Sequence, residues 1–320
     1  MLSSTIITIS STNILIIWLC LELNLFSFIP LLLKDSLNNE IEASLFYFLA
    51  QTLGSTLFLL RNTILLVTCI LNRYYKIALI MSIIIKLGAA PCHHWYPMTI
   101  KIIRWVNCFI LSGWQKLAPI FTIIYWIIPN TKKIVTLILL ISSINAITGG
   151  IMGLNQVSLK KIIAYSSITH IGWILRRSTT NSPHLSIIYL SIYILIIMPL
   201  FISFKNMNSN KVHDLWYKQN TPKHITILTS IILISLAGLP PITGFIPKLL
   251  ILSTLVNYSS ALMVLLIAGS LINLFFYLNI RLNILTNNQQ ELTNNNKKIS
   301  IIPINTAIAL NLLRVLFVVL

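Results

Sequence analysis

Charge is what this sequence has least of. Of its 320 residues only 9% are Asp, Glu, Lys or Arg, and only 6 of them are acidic. Soluble proteins carry about 25% charged residues, so this chain cannot cover a water-facing surface, and a soluble globular enzyme is excluded. Disorder is excluded as well, because it requires low hydrophobicity and 56% of the residues here are hydrophobic. Glycine is scarce at 10 residues, about half the usual share, so each one needs a structural reason. The four cysteines, Cys20, Cys69, Cys92 and Cys108, lie in or beside apolar runs without a CxxC pair, which argues against a disulfide framework or a cysteine-held cluster. No charged segment followed by a cleavage site opens the chain, so no removable signal peptide is expected. Phosphate-cradling glycine loops, zinc motifs and nucleophile elbows are missing too. His93 and His94 are adjacent, so they are expected to point to different faces, and they lack metal-ligand spacing.

What is present is apolar sequence in long runs. They fall near 13–33, 41–60, 74–96, 104–127, 134–153, 159–176, 185–204, 225–256, 261–284 and 300–320. At roughly 20 residues per span this predicts an all-α polytopic membrane protein with about 10 transmembrane helices. Residues 1–12 are too short to span and read as a stub or surface segment, and 205–224 and 285–298 read as exposed polar loops. The run 225–256 is too long for one span and too short for two. Its centre, Gly238-Leu239-Pro240-Pro241-Ile242-Thr243-Gly244, stops a helix, so one discontinuous span is expected. That choice gathers Lys34, Lys101, Arg104, Lys160, Lys161 and Lys205 on the more basic side, which the positive-inside rule prefers. Lys160-Lys161 reads as a surface pair at a helix start, and Arg176 and Arg177 as loop charges of the opposite side. The net charge of +17 is spread over short loops instead of one face. It therefore points to anionic phospholipid headgroups and not to nucleic acid. The wealth of Ile, Asn, Lys and Tyr is that of an AT-rich, organellar gene.

Four charges escape the loops. Glu22, Lys86, Lys116 and Lys248 stand deep in apolar runs, where each costs about 2.5–3.5 kcal/mol or more. Each lysine lies within five residues of a proline (Pro91, Pro119, Pro247), where backbone carbonyls lose their donors. Such backbone survives at membrane depth only against buried protein or water. A row of this kind suits proton transfer, because burial makes the charged form of a lysine or glutamate costly and a partner restores it. Snorkelling lysines, a helix–helix hydrogen bond at Glu22 and a hydrogen-bonded core histidine at His170 are the plainer alternatives.

The residues around these charges also carry a resemblance. Leu21-Glu22-Leu23-Asn24-Leu25-Phe26-Ser27-Phe28-Ile29-Pro30, Lys86-Leu87-Gly88-Ala89-Ala90-Pro91, Trp114-Gln115-Lys116-Leu117-Ala118-Pro119, Ala164 to Trp173 and Gly238 to Lys248 follow one another over residues 21–248. In that order they resemble the chain 2 family of mitochondrial NADH–ubiquinone oxidoreductase (complex I), an antiporter-like membrane subunit. The resemblance implies an antiporter-like fold with inverted repeats (13–153 and 159–284), discontinuous helices, a C-terminal helix at 300–320, and 1–12 as the stub of a missing first helix. It implies one proton path. Glu22 matches the glutamate of its input half and Lys86 that glutamate's lysine partner. Lys116 matches the central relay lysine, His170 a histidine of the connecting axis, and Lys248 the terminal lysine of the output half. It implies no cofactor or metal bound by this chain, with NADH, FMN, iron–sulfur clusters and ubiquinone handled by other subunits. The expected partners are other complex I membrane-arm subunits and phospholipid including cardiolipin, in the mitochondrial inner membrane. Aromatic residues usually flank the histidine that His93 matches, whereas Cys92 and His94 stand here. A stand-alone cation/proton antiporter of the same fold is the rival, and the single deep acid argues against it.

Overall fold

The computed structural model describes residues 1–34, 38–67, 74–127, 132–179, 184–207, 209–212, 214, 223–240, 242–255 and 260–287. The apolar runs are helical because lipid offers no partner to a backbone amide or carbonyl. Hydroxyls inside the helices turn back onto the carbonyl three residues earlier, as Ser82 does to Leu79, Ser142 to Leu139 and Thr229 to Thr226. That bond lets a polar residue sit in an apolar span. The helices are α1 (Leu2–Ser10), α2 (Ile14–Leu32), α3 (Asn38–Val67), α4 (Tyr74–Leu87), α5 (Trp95–Ile102), α6 (Trp105–Phe109) and α7 (Gln115–Thr122). They continue with α8 (Lys132–Leu154), α9 (Leu159–Ser178), α10 (His184–Met207), α11 (Lys223–Ala237), α12 (Phe245–Leu255) and α13 (Ser260–Asn287). A wide π-turn, Ile110–Trp114, joins α6 to α7, and a second, Ile123–Ile127, follows α7.

Six helices among the described residues are long and apolar enough to cross a bilayer. The shorter Ile77–Leu87 and Ile225–Ala237 are first halves of interrupted runs. The run 225–256 is discontinuous, as its Gly-Pro centre predicts: α11 stops at Ala237 and α12 begins at Phe245. The run 74–96 departs from expectation. Helix α4 ends at Leu87, and the chain bends through 88–94 before α5. Gly88 takes φ +65°, a conformation that favours glycine, and a Cβ there would lie 2.7 Å from Tyr96 Cβ. Residues 2–10 of the expected stub form α1, which packs on α2 and α7 with Ser4, Thr5 and Thr8 buried. The expected helix at 300–320, and the polar stretch beyond Asn287, lie outside the described residues.

The exterior is apolar. Leu19, Leu23 and Phe26 of α2, Leu45, Leu49 and Leu53 of α3, and Leu271 and Phe275 of α13 are all exposed. Apolar surface on this scale marks contact with lipid, so the chain is a multi-pass membrane protein. Helix α9 is the exception. It is buried along nearly its whole length, packed against α5, α8, α10 and α13.

Inside, the core is two apolar layers, not one. The first takes Leu25, Phe28 and Leu32 of α2, Leu159 to Ile168 of α9, and Tyr193 to Met207 of α10. The second takes Ile17 and Leu21 of α2, Ile171 to Leu175 of α9, and Tyr189 and Leu190 of α10. The boundary between them crosses α2 at 21–25, α9 at 168–171 and α10 at 190–193. It also passes between Leu111 and Ala118 of the 105–127 helix, and between Ala237 and Ile251 of the broken span.

Candidate functional site

Glu22, Lys116, His170 and Lys248 each fall in that boundary, and Lys86 lies at its edge. Each arrives by a different local device. Lys86 occupies the last turn of α4. The carbonyls freed there are taken by other side chains: Trp95 Nε1 donates to Ile85 O at 3.1 Å and Gln51 Nε2 to Lys86 O at 3.1 Å. Across the bend, Ala90 N–H donates to the buried Asn145 side chain at 2.6 Å. Glycine at 54 gives the lysine stem its room, since a Cβ there would stand 2.9 Å from Lys86 Cγ.

Lys116 sits in α7, directly after the first π-turn. Pro119 removes one backbone donor from that helix, and wide turns are a usual accommodation at functional positions. The span stays helical from residue 105 to 127, with two changes of pitch around this proline. Lys248 lies in the first turn of α12, and its Nζ donates to Ala237 O, the last residue of α11, at 2.8 Å. This is the one lysine of the three whose ammonium itself caps an opened carbonyl. Gly238 beside it takes φ +79°, and a Cβ there would come within 2.8 Å of Lys248 Nζ.

All three lysines are buried. Lys86 Nζ, Lys116 Nζ, His170 Nε2 and Glu22 Oε2 have no hydrogen-bond partner among the described residues. Glu22 is half-buried on α2, the helix whose Leu21 and Asn24 share a cavity with Lys86. Lys86 and Lys116 line one cavity of about 20 Å³, together with Asn24, Gln51, Tyr96 and Gln115. That volume exceeds the roughly 10–15 Å³ that one water requires. Asn24 Nδ2 donates to Gln115 Oε1 at 2.9 Å across its wall.

The far side of Lys116 is aromatic. Its Nζ lies 4.6 Å from the Tyr96 ring centroid and 5.9 Å from that of Tyr193. Ser167 donates to the Tyr96 hydroxyl at 2.8 Å. The Tyr193 ring lies tilted against His170 at 4.9 Å between centroids, and the Tyr189 hydroxyl shares a hydrogen bond of 2.8 Å with His170 Nδ1. Helix α12, which carries Lys248, packs against α9, which carries His170. The order is Glu22, Lys86, cavity, Lys116, tyrosines, His170, Lys248.

The tyrosines, Gln51, Asn24, Gln115 and Asn145 were given no role by the sequence. Amides inside an apolar run, such as Asn145 in Ile141–Gly149, were the available signal. A tyrosine in such a run reads equally well as an interfacial anchor.

Three expectations are corrected. Lys160 is not on the surface: it is 9% exposed, its Nζ donates to Ile103 O at 2.7 Å and lies 5.2 Å from the Trp105 ring centroid. Arg176 and Arg177 are not loop charges but wholly buried at the end of α9. His93 and His94 do not diverge: their rings stack at 4.4 Å. Among the described residues no group of three or more metal-ligating side chains converges.

Comparison with known proteins places this geometry. A family model described as NADH:quinone oxidoreductase/Mrp antiporter, transmembrane, matches residues 11–273. The NADH-ubiquinone oxidoreductase chain 2 of Lumbricus terrestris is 41% identical over 283 residues, covering 88% of this chain and 83% of that protein. A chain of respiratory complex I from Thermus thermophilus superposes with a TM-score of 0.82 at 18% identity, over 97% of this chain and 74% of that one. A chain of the Mrp complex from a Dietzia species gives 0.77 at 17% identity, over 89% and 58%. The two solved structures share this fold: an all-helical, antiporter-like membrane bundle.

Proposed function

The chain belongs to the NADH:quinone oxidoreductase/Mrp antiporter transmembrane family, and from that premise we propose that it is a proton-translocating membrane-arm subunit of respiratory complex I. The observation that carries the proposal is the polar layer. Five titratable side chains from five helical segments meet at or beside one level of the bundle, between two apolar layers. A charge at that level is too costly to be kept for packing alone.

In this reading Glu22 and Lys86 form the entrance. With Glu22 ionised the Lys86 ammonium is stabilised, and loss of that partner releases a proton toward the cavity. Water in the cavity, held by Asn24, Gln51 and Gln115, passes it to Lys116. Buried polar atoms with no protein partner are the atoms that water satisfies. Lys116 and His170 both face the Tyr193 ring, and two charges that share a low-dielectric interior repel, so arrival of a proton at one favours its departure from the next. Lys248, held on the Ala237 carbonyl, is the final acceptor. The two apolar layers keep the path from opening to either face except at its ends.

The chain itself performs no redox chemistry in this proposal. NADH, FMN, iron–sulfur clusters and ubiquinone belong to other subunits, and electron transfer there drives the charge changes here. Residues 13–153 and 159–284 are the two inverted repeats. The membrane is the mitochondrial inner membrane, and the partners are the other membrane-arm subunits and phospholipid, including cardiolipin.

The test uses the assembled complex in sealed vesicles. A Lys116→Ala variant that assembles should transport fewer protons per NADH oxidised, and full stoichiometry would refute the relay role. Native electrophoresis separates the rival class. Co-migration with NADH dehydrogenase activity supports the subunit, and a free chain with transport activity supports a stand-alone antiporter.

A further inference from the structure

A second constellation lies outside the polar layer, at one end of the bundle. The ends of α2 and α10 and the starts of α6 and α9 enclose a groove of about 770 Å³. Lys34, Arg104, Lys160 and Lys205 line it, and among the described residues no carboxylate does. Of these cations Arg104 is compensated by a neighbouring acid, and the three lysines are not carboxylate-paired among the described residues. Glu40 accepts from Arg104 Nε at 3.0 Å, and Asp214 accepts from the backbone amides of Asn210 and Lys211 at 3.0 and 2.8 Å. One wall is apolar and open to the outside, with Leu31 at 39% and Val106 at 51% exposure. A water-soluble anion has no use for that wall, and an apolar ligand has no use for three lysines.

We propose that this groove is a headgroup site for an acidic phospholipid, its phosphate among the cations and an acyl chain along Leu31 and Val106. The depth agrees. The four basic lining residues stand in or just beyond the end turns of their helices, which is where a bilayer places its phosphates. The floor is built, not incidental. Lys160 is held at 9% exposure by the Ile103 carbonyl and the Trp105 ring, so its charge is fixed beneath the groove. Lys34 and Lys205 stand exposed at its rim and are free to close on a ligand. The volume suits a lipid headgroup with the start of its chains, within the roughly 300–1,000 Å³ of ordinary ligand sites.

The experiment uses the purified assembly containing this chain, stripped of loosely held lipid and placed in phosphatidylcholine nanodiscs doped with cardiolipin or phosphatidylglycerol. Lipid retained on the chain is read by native mass spectrometry. The unaltered chain should retain the acidic lipid in preference to phosphatidylcholine. A Lys34→Gln/Lys205→Gln double variant, altered only at exposed positions, should retain it roughly tenfold less or weaker still. Equal retention by both chains would overturn the proposal. So would full displacement of the lipid by inorganic phosphate, which would make a free anion the ligand. Carbodiimide cross-linking of Lys34 or Lys205 to an acidic segment of a neighbouring subunit would also overturn it, since the occupant would then be protein.

Discussion

Tyr193 touches both of the groups that flank it: its ring faces Lys116 at 5.9 Å and His170 at 4.9 Å. Its hydroxyl is buried beside Ser167, where it can anchor a hydrogen-bonded path between lysine and histidine. Replacing Tyr193 with Phe keeps the ring and removes that anchor, at a cost of about 1 kcal/mol. Proton translocation per NADH in vesicles should slow roughly fivefold, with assembly unchanged. Undiminished pumping would remove Tyr193 from the path. Gly238 makes a second case. Its φ of +79° costs any residue with a Cβ about 1–2 kcal/mol, and the added atom would also press on Lys248 Nζ. A Gly238→Ala variant should therefore lower both the thermal stability of the complex and its pumping, whereas an unchanged melting curve would contradict the strain.

At the scale of elements, the bend between α4 and α5 depends on one residue of another helix. Asn145 of α8 receives the Ala90 amide and is itself wholly buried. Changing Asn145 to Leu leaves that amide without its acceptor, which costs about 1–3 kcal/mol. Scanning calorimetry of the assembled complex should show the loss, and a value near zero would mean that the bend holds itself. This dependence also explains what could be read in advance. Lys86, Lys116, Lys248 and Glu22 were legible because a charge in an apolar run contradicts its surroundings. The break at 238–244 was legible because Gly and Pro cluster there. The break at 88–94 was legible only in part: Pro91 marked disturbed backbone after Lys86, but one Gly and one Pro separated by two alanines did not show that the helix stops. Lys160, Arg176 and Arg177 were misplaced for a related reason. Sequence shows that a charge lies near a helix end, but neighbouring helices decide whether that end is covered. The tyrosines had no contradiction to reveal them.

For the molecule as a whole, the two apolar layers make the polar level a single electrostatic unit. Charges buried between low-dielectric layers are screened far less than surface pairs, so a change at one end is felt along the row. Glu22→Ala and Lys86→Ala should consequently slow NADH oxidation and proton pumping together, not pumping alone. Pumping that stays unchanged in either variant would show that residue to be outside the unit. The helix that carries Lys116 adds a mechanical side to this coupling. Its stretch Gln115–Thr122 is bounded at both ends by a turn that holds an extra residue. Each is a dislocation in the ladder of backbone bonds. Passing one bond across at each end would swivel the stretch by about 100°, one residue of a 3.6-residue turn, while the flanking segments stay wound. The central lysine thus rides on a bearing cut into an otherwise continuous span. A rotation of that stretch would re-aim Lys116 and leave the flanking helices wound.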